Sequence, residues 1–115
     1  MVREVGPPPS SGADDLDGQD DDDLIFGNDG NDTLHGAAGD DSLDGGNGTD
    51  QVRQSINADQ LLTDSQLTGM GTDALLSIEE AQLTGGSNPN TLDASAFSGT
   101  VTLAGLDGND TLHGA

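Results

Sequence analysis

Residues 18–53 read GQDDDDLIF, GNDGNDTLH, GAAGDDSLD and GGNGTDQVR, which are four consecutive units of nine residues. Every unit opens with glycine, and every unit has aspartate at its sixth place and an aliphatic residue at its eighth place. The aspartates are Asp23, Asp32, Asp41 and Asp50, and the aliphatic residues are Ile25, Leu34, Leu43 and Val52. A partly degraded unit, PSSGADDLD from Pro9, precedes them and keeps the same phase. Three residue types that share one period indicate a repeat architecture rather than a disordered acidic linker.

The composition of each unit predicts a turn followed by a very short strand. The first six residues are rich in Gly and Asp, and glycine reaches positive φ without a steric clash of its own. The last three residues read polar, aliphatic, polar, which places one side chain on the inner face of a strand. One unit cannot bury its aliphatic residue alone, so neighbouring units must stack. The repeat therefore predicts an all-β solenoid.

Charge limits the partners of this chain. Its 115 residues include two Lys or Arg and 22 Asp or Glu, for a formal net charge of −20, and no Cys. This balance argues against nucleic acid and against attraction to anionic membranes, and no apolar run is long enough for membrane insertion. Oxygen ligands in excess, without thiolates, favour calcium over zinc or copper.

The pattern GGxGxDxUx, with U aliphatic, resembles the RTX (repeat-in-toxin), or hemolysin-type, calcium-binding repeats. The resemblance implies a right-handed parallel β-roll in which two units make one coil. It also implies that Ca²⁺ lies between turns on the same edge, held by place-six carboxylates and turn carbonyls. An extracellular location, secreted or on the cell surface, and type I secretion are further implications of the resemblance.

The candidate metal-binding residues are turn residues of the repeats. They are Gly12, Asp14, Asp20, Asp23, Gly27, Asn28, Asp29, Gly30, Asp32, Gly39, Asp41, Gly48, Asp50, Asp73 and Asp110. Successive sixth places predict one edge formed by Asp14, Asp32, Asp50, Asp73, Asn90 and Asp110. The opposite edge is predicted to contain Asp23 and Asp41, followed by residues 57–59, Glu79, Glu80 and residues 98–100. Asp20 and Asp29, at place three, are either ligands or solvated side chains. Asp32, between two neighbours on its edge, is expected to be the most costly carboxylate to remove.

The chain divides into four segments by composition and period. Residues 1–11 are predicted to be a flexible Pro-rich linker, and residues 12–53 are the calcium-binding array. Residues 54–104 are predicted to continue the solenoid in degenerate form, although 59–67 and 75–83 could instead form short helices. Residues 105–115, beginning GLDGNDTLH, start a second array. We therefore expect neighbouring domains of a longer chain among the partners.

No catalytic constellation is present in the sequence. HExxH and GxSxG are absent, and His35 and His113 occur at the same repeat position in identical TLHG contexts. The prediction is therefore a calcium-binding structural module of a secreted or surface protein, and not an enzyme. The alternative is a repeat appendage of a secreted protease, lipase or epimerase whose catalytic domain lies elsewhere.

Overall fold

The computed structural model describes residues 2–5, by backbone alone, and residues 15–114. In these ranges it contains strands and no helix, so the helices considered for 59–67 and 75–83 do not form. The strands are β1 (Val2–Val5), β2 (Asp15–Asp17), β3 (Asp22–Phe26), β4 (Thr33–His35), β5 (Ser42–Asp44), β6 (Gln51–Ser55), β7 (Gln60–Thr63), β8 (Gln66–Gly69), β9 (Gly71–Leu76), β10 (Glu80–Thr84), β11 (Thr91–Ala96), β12 (Thr100–Ala104) and β13 (Thr111–His113).

The first strand departs from the predicted linker. Val2–Val5 pairs in parallel with β3, with Val5 opposite Ile25. An extended segment that lies beside the open edge of a strand gains a row of backbone hydrogen bonds. Composition alone does not show that such an edge is available. The Pro-rich positions of the predicted linker lie outside the described residues.

The strands form two sheets. One sheet has the order β12-β10-β6-β4-β2, and the other has the order β1-β3-β5-β9-β8-β7-β11-β13. In the array, Leu34 pairs with Leu16 and Leu43 pairs with Ile25, so each coil contains two units and adds one strand to each sheet. All pairs are parallel except β7–β8 and β8–β9. The fold is the all-β parallel roll that the repeat predicts.

The place-eight residues form the core. Leu16, Ile25, Leu34, Leu43 and Val52 are buried, while the residues on either side of each along the strand are more exposed. Beyond the array the core continues through Leu62, Leu67, Leu75, Ala81, Leu83, Leu92, Ala94 and Phe97. Each buried aliphatic side chain contributes about 1.5–3 kcal/mol relative to exposure. This stack fixes the spacing of the turns at both edges.

A three-stranded meander, β7–β8–β9, interrupts the parallel stacking of the second sheet. Beside it two glutamines are buried in the core. Gln54 Nε2 donates to Gln60 Oε1 and to the carbonyl of Thr68, both at 3.0 Å. Gln60 Nε2 donates to the carbonyl of Thr84 at 2.9 Å. Because these polar groups are satisfied inside the core, the pair holds the two sheets together where the repeat loses its period.

The turns take positive φ at two places of the unit, the second and the fourth. Place four holds Gly30, Gly39 and Gly48, but also Asp21 at φ 76°. Place two holds the non-glycine residues Gln19, Asn28, Ala37 and Leu106, at φ between 64° and 67°. Left-handed backbone costs an ordinary residue about 1–2 kcal/mol, so these turns are strained wherever glycine is missing.

Ala37→Gly should therefore stabilise the protein, by up to about 1 kcal/mol, because it removes the left-handed penalty at φ 64°. Ala38→Gly is the matched control, since Ala38 has no positive φ and glycine there only adds freedom to the unfolded chain. Thermal unfolding in calcium would measure both. Equal losses of stability in the two variants would contradict the assignment of strain to place two.

Candidate metal centre

Two rows of acidic side chains run along the edges of the roll. We name them the Asp32 row, which contains Asp32, Asp50 and Glu79, and the Asp41 row, which contains Asp23, Asp41 and Asp73. The five aspartates are at most 3% exposed. A buried carboxylate is costly unless hydrogen bonds or a cation compensate for lost water. The two rows are thus the places where the fold most needs positive charge.

Within each row, a carboxylate oxygen of one member accepts the backbone N–H of the member before it. These hydrogen bonds join successive coils. In the Asp41 row, the N–H of Asp23 donates to Asp41 Oδ1 at 2.8 Å, and the N–H of Asp41 donates to Asp73 Oδ1 at 3.0 Å. In the Asp32 row, the N–H of Asp32 donates to Asp50 Oδ1 at 2.9 Å, and that of Asp50 to Glu79 Oε1 at the same distance. Each row is therefore a ladder with a fixed direction.

The second carboxylate oxygen is the atom that points to a cation. In Asp41 and Asp50, Oδ2 is buried and has no hydrogen-bond donor among the described residues. An unsatisfied buried carboxylate oxygen costs the full desolvation of a charged acceptor. These two oxygens are positioned to coordinate an ion.

The opening glycine of each unit leaves room beside that oxygen. A Cβ built on Gly27 would lie 2.7 Å from Asp32 Oδ2 and 2.6 Å from the carbonyl oxygen of Gly45. A Cβ on Gly45 would similarly meet Asp50 Oδ2, at 2.6 Å, and the carbonyl oxygen of Ser77. Carboxylate and carbonyl oxygens thus converge on a space that only glycine keeps open. Such a set of hard oxygen donors suits Ca²⁺.

Burial perturbs the titration of these carboxyls when only protein surrounds them. It raises the pKa of Asp50 to about 6 and that of Asp73 to about 7, and it raises the pKa of Asp41 as well. The backbone N–H bonds oppose the shift, and the neighbouring carboxylates of the same row add to it. In residues 15–114 no three His, Cys, Asp or Glu side chains gather into a metal-holding cluster. The candidate ligand set is mixed, with carboxylates stacked one per turn beside backbone carbonyls.

The structure places the other predicted site residues as follows. Asp20 and Asp29 are exposed, and Asp29 Oδ1 accepts a hydrogen bond from Asn47 Nδ2 at 2.9 Å. Asn28 is a turn residue whose carbonyl faces the Cα of Gly46 in the next coil. Gly30 and Gly48 stack in the same manner, and Gly39 packs its carbonyl against Gly71. Gly12 and Asp14 lie outside the described residues.

The predicted neighbour of Asp73 is wrong. The sequence predicts that Asp73 follows Asp50 on one edge, but Asp73 follows Asp41, with Ala74 paired to Ser42. Between Asp32 and Asp50 the chain forms two strands, whereas between Asp50 and Asp73 it forms three, β6, β7 and β8. An odd number of strands brings the chain to the opposite edge.

Asp110 also lies on the edge opposite to the predicted one. The N–H of Asn90 donates to Asp110 Oδ1 at 2.8 Å, as in a row of the array. However, β11 and β13 belong to the sheet of the Asp41 row, so the predicted continuation from Asp50 to Asn90 and Asp110 is also wrong. Strands β7 and β8 separate this pair from Asp73.

Sequence reasoning missed two features of the edges. Glu79 was predicted on the edge of Asp23 and Asp41, but it takes the place-six role beside Asp50, where no GGxGxD motif marks it. Place five carries a second ladder, in which Asp22, Asn31 and Asp40 accept from the N–H at place five of the next coil, at 2.8–2.9 Å. The signal for this ladder is the recurring Asp or Asn at that place.

The family comparison agrees with this geometry. The family model for the RTX calcium-binding nonapeptide repeat (4 copies) matches residues 10–43, 17–52 and 95–115. The chain belongs to this RTX repeat family. RTX nonapeptide repeats bind calcium, so Ca²⁺ is the cofactor and the chain is a calcium-binding module.

No curated protein matches the chain. Among the described residues of the RTX chain, no helix is long and apolar enough to span a membrane.

Proposed function

We propose that this RTX chain is a non-enzymatic structural module of a secreted or cell-surface protein, and that it folds when calcium binds between its stacked turns. The observation that carries the proposal is a pair of buried oxygens, Asp41 Oδ2 and Asp50 Oδ2, for which residues 15–114 provide no hydrogen-bond donor. Calcium would bind these oxygens together with carbonyls of the adjoining turns. Each ion would also add two positive charges to a chain of net charge −20.

Folding and ion binding are coupled in this proposal because the ligands come from different coils. An unfolded chain has no such site, so binding free energy becomes folding free energy. Extracellular calcium modules bind at about 0.1–1 mM. The module would therefore stay unfolded at low cytosolic calcium and fold after export. The family match supports this location, since RTX repeats are typical of secreted bacterial proteins.

Circular dichroism tests the proposal directly. With chelator the spectrum should be that of a disordered chain, and with about 1 mM or more calcium it should become that of a β protein. Magnesium at the same concentration is the control, because it requires near-octahedral geometry with short bonds and should not replace calcium. Identical spectra with chelator and with calcium would disprove calcium-coupled folding.

A further inference from the structure

One asparagine of the chain stands directly before a glycine. Seven asparagines are present, and of these Asn47 alone is followed by glycine, at Gly48. The backbone nitrogen of a residue can attack the side-chain amide carbon of the asparagine before it, and a side chain on the attacking residue hinders the approach. Glycine has no Cβ and reaches conformations that are closed to other residues. Asn47 is therefore the asparagine at which this attack is least hindered.

The folded turn ties the Asn47 side chain to another coil. Asn47 Nδ2 donates to Asp29 Oδ1 at 2.9 Å, across 18 residues of sequence. Asn47 is exposed, so this hydrogen bond contributes about 0.5–1.5 kcal/mol. The bond exists only while the two coils are stacked, because its partners belong to different units. In the unfolded chain the bond is absent, and the side chain is free to reach the Gly48 nitrogen.

The turn around Asn47 leaves no room for a longer backbone. Gly46 has a φ of 80° and Gly48 a φ of 99°. A Cβ on Gly46 would overlap the carbonyl oxygen of Asn28, and a Cβ on Gly48 would overlap that of Gly30. The backbone on both sides of Asn47 therefore packs directly against the preceding coil. An extra backbone atom between the two glycines would disturb this packing.

We propose that Asn47 is a site of spontaneous deamidation, and that the calcium-bound fold protects it. The Gly48 nitrogen loses its proton to solvent base and forms a bond to Cγ of Asn47. The Cγ–Nδ2 bond breaks, and the side-chain nitrogen takes up a proton and leaves as ammonia. Water then opens the resulting succinimide at one of its two carbonyl carbons. The net change is one water gained and one ammonia lost, and the product is either aspartate or isoaspartate.

Both products would weaken the stacking of this turn. Isoaspartate carries the chain through its side chain, so it inserts one backbone atom between Gly46 and Gly48, where the contacts are tight. Aspartate keeps the backbone but places a carboxylate beside Asp29 in place of the amide donor, and like charges at that distance repel. The turn leads into Asp50, whose Oδ1 accepts the N–H of Asp32. Deamidation would therefore irreversibly damage one turn of the Asp32 row.

Peptide mapping by mass spectrometry tests the site on the full chain, aged in mildly alkaline buffer with chelator or with calcium. In chelator, most of Asn47 should be converted while Asn28 and Asn31, each followed by aspartate, keep their amides. In calcium, the conversion of Asn47 should be slower than in chelator. Conversion of Asn47 no faster than that of Asn31 in chelator would overturn the proposed site.

The protection by calcium rests on the proposed function, whereas the reaction at Asn47 does not. Equal conversion in chelator and in calcium, for a chain whose circular dichroism shows calcium-coupled folding, would overturn the protection alone. Selective conversion of Asn47 in a chain that shows no calcium-dependent folding would support the deamidation site and disprove the proposed function.

Two variants of Asn47 test the damage to the turn. Asn47→Gln keeps an amide but closes the cyclic imide slowly, because the ring is one atom larger. After ageing in chelator, wild type should need more calcium to regain β structure than before ageing, and Asn47→Gln should not. Asn47→Asp reproduces one product and should raise the calcium midpoint of folding more than Asn109→Asp, the same charge change at another exposed turn residue. Equal losses in aged wild type and aged Asn47→Gln would overturn the damaging role.

Discussion

Asp41→Ala should raise the calcium concentration at the folding midpoint by about tenfold or more, which corresponds to at least about 1.4 kcal/mol. Asp41 is the middle member of its row, since it accepts from the N–H of Asp23 and donates its own N–H to Asp73. Its loss removes a ligand from the turn shared with each neighbour. It also leaves the buried N–H of Asp23 without its acceptor, which adds about 1–3 kcal/mol.

The matched control for this variant is Asp40→Ala, which changes the same charge one residue earlier. Asp40 is exposed, and its Oδ1 accepts a solvent-accessible backbone hydrogen bond from the N–H of Thr72. Such a bond contributes about 0.5–1.5 kcal/mol, so the control should fold at a calcium concentration much closer to wild type. A calcium titration of folding compares the two. Equal midpoints would mean that the aspartates only solubilise the surface.

Acid should partly replace calcium. Burial raises the pKa of Asp50 to about 6 and that of Asp73 to about 7, above the ordinary value of 3.8. A carboxyl whose pKa is higher in the folded state than in the unfolded state favours folding when it is protonated. This contribution is present at low pH and is lost as the pH rises through about 6 to 7. The calcium-free chain should therefore gain β structure between pH 8 and pH 5.

The same protons should weaken calcium binding, because the ion requires ionised carboxylates. The apparent affinity of the folded chain for calcium should fall as the pH falls through this window, while the calcium-free fold becomes less unfavourable. Circular dichroism in chelator at several pH values, paired with calcium titrations at each, measures both trends. Asp50→Asn should show a smaller pH effect in chelator than wild type does. Loss of β structure on acidification of the chelated chain would contradict the burial of these carboxyls.

The sequence predicts features that the chemistry of one unit determines. Place eight must be aliphatic because it faces the core, and Leu34 and Leu43 are buried as expected. Place six is aspartate in all four units of residues 18–53, and its carboxylate serves the neighbouring coil, as where Asp50 Oδ1 accepts the N–H of Asp32. These properties are local, so a single sequence is enough to read them.

Strand partners in the degenerate segment depend on long-range pairing, which spacing alone does not determine. The step of 23 residues from Asp50 to Asp73 is compatible with a coil of two strands and a long loop. It is equally compatible with the three strands that form. The buried Gln54 and Gln60 beside these strands do not recur at a fixed spacing, so no sequence period marks them. This is why Asp73 was predicted on the wrong edge. It is also why Asp41, which lies between Asp23 and Asp73, is the middle member of its row.

The most direct measurement is a crystal structure of the chain grown in calcium, with anomalous scattering to locate the ions. We predict calcium between successive turns of both rows, with Asp41 Oδ2 and Asp50 Oδ2 as ligands at about 2.3–2.6 Å and carbonyl oxygens completing the shell. Ions bound only at exposed side chains such as Asp20 and Asp29, with none between the turns, would contradict the account.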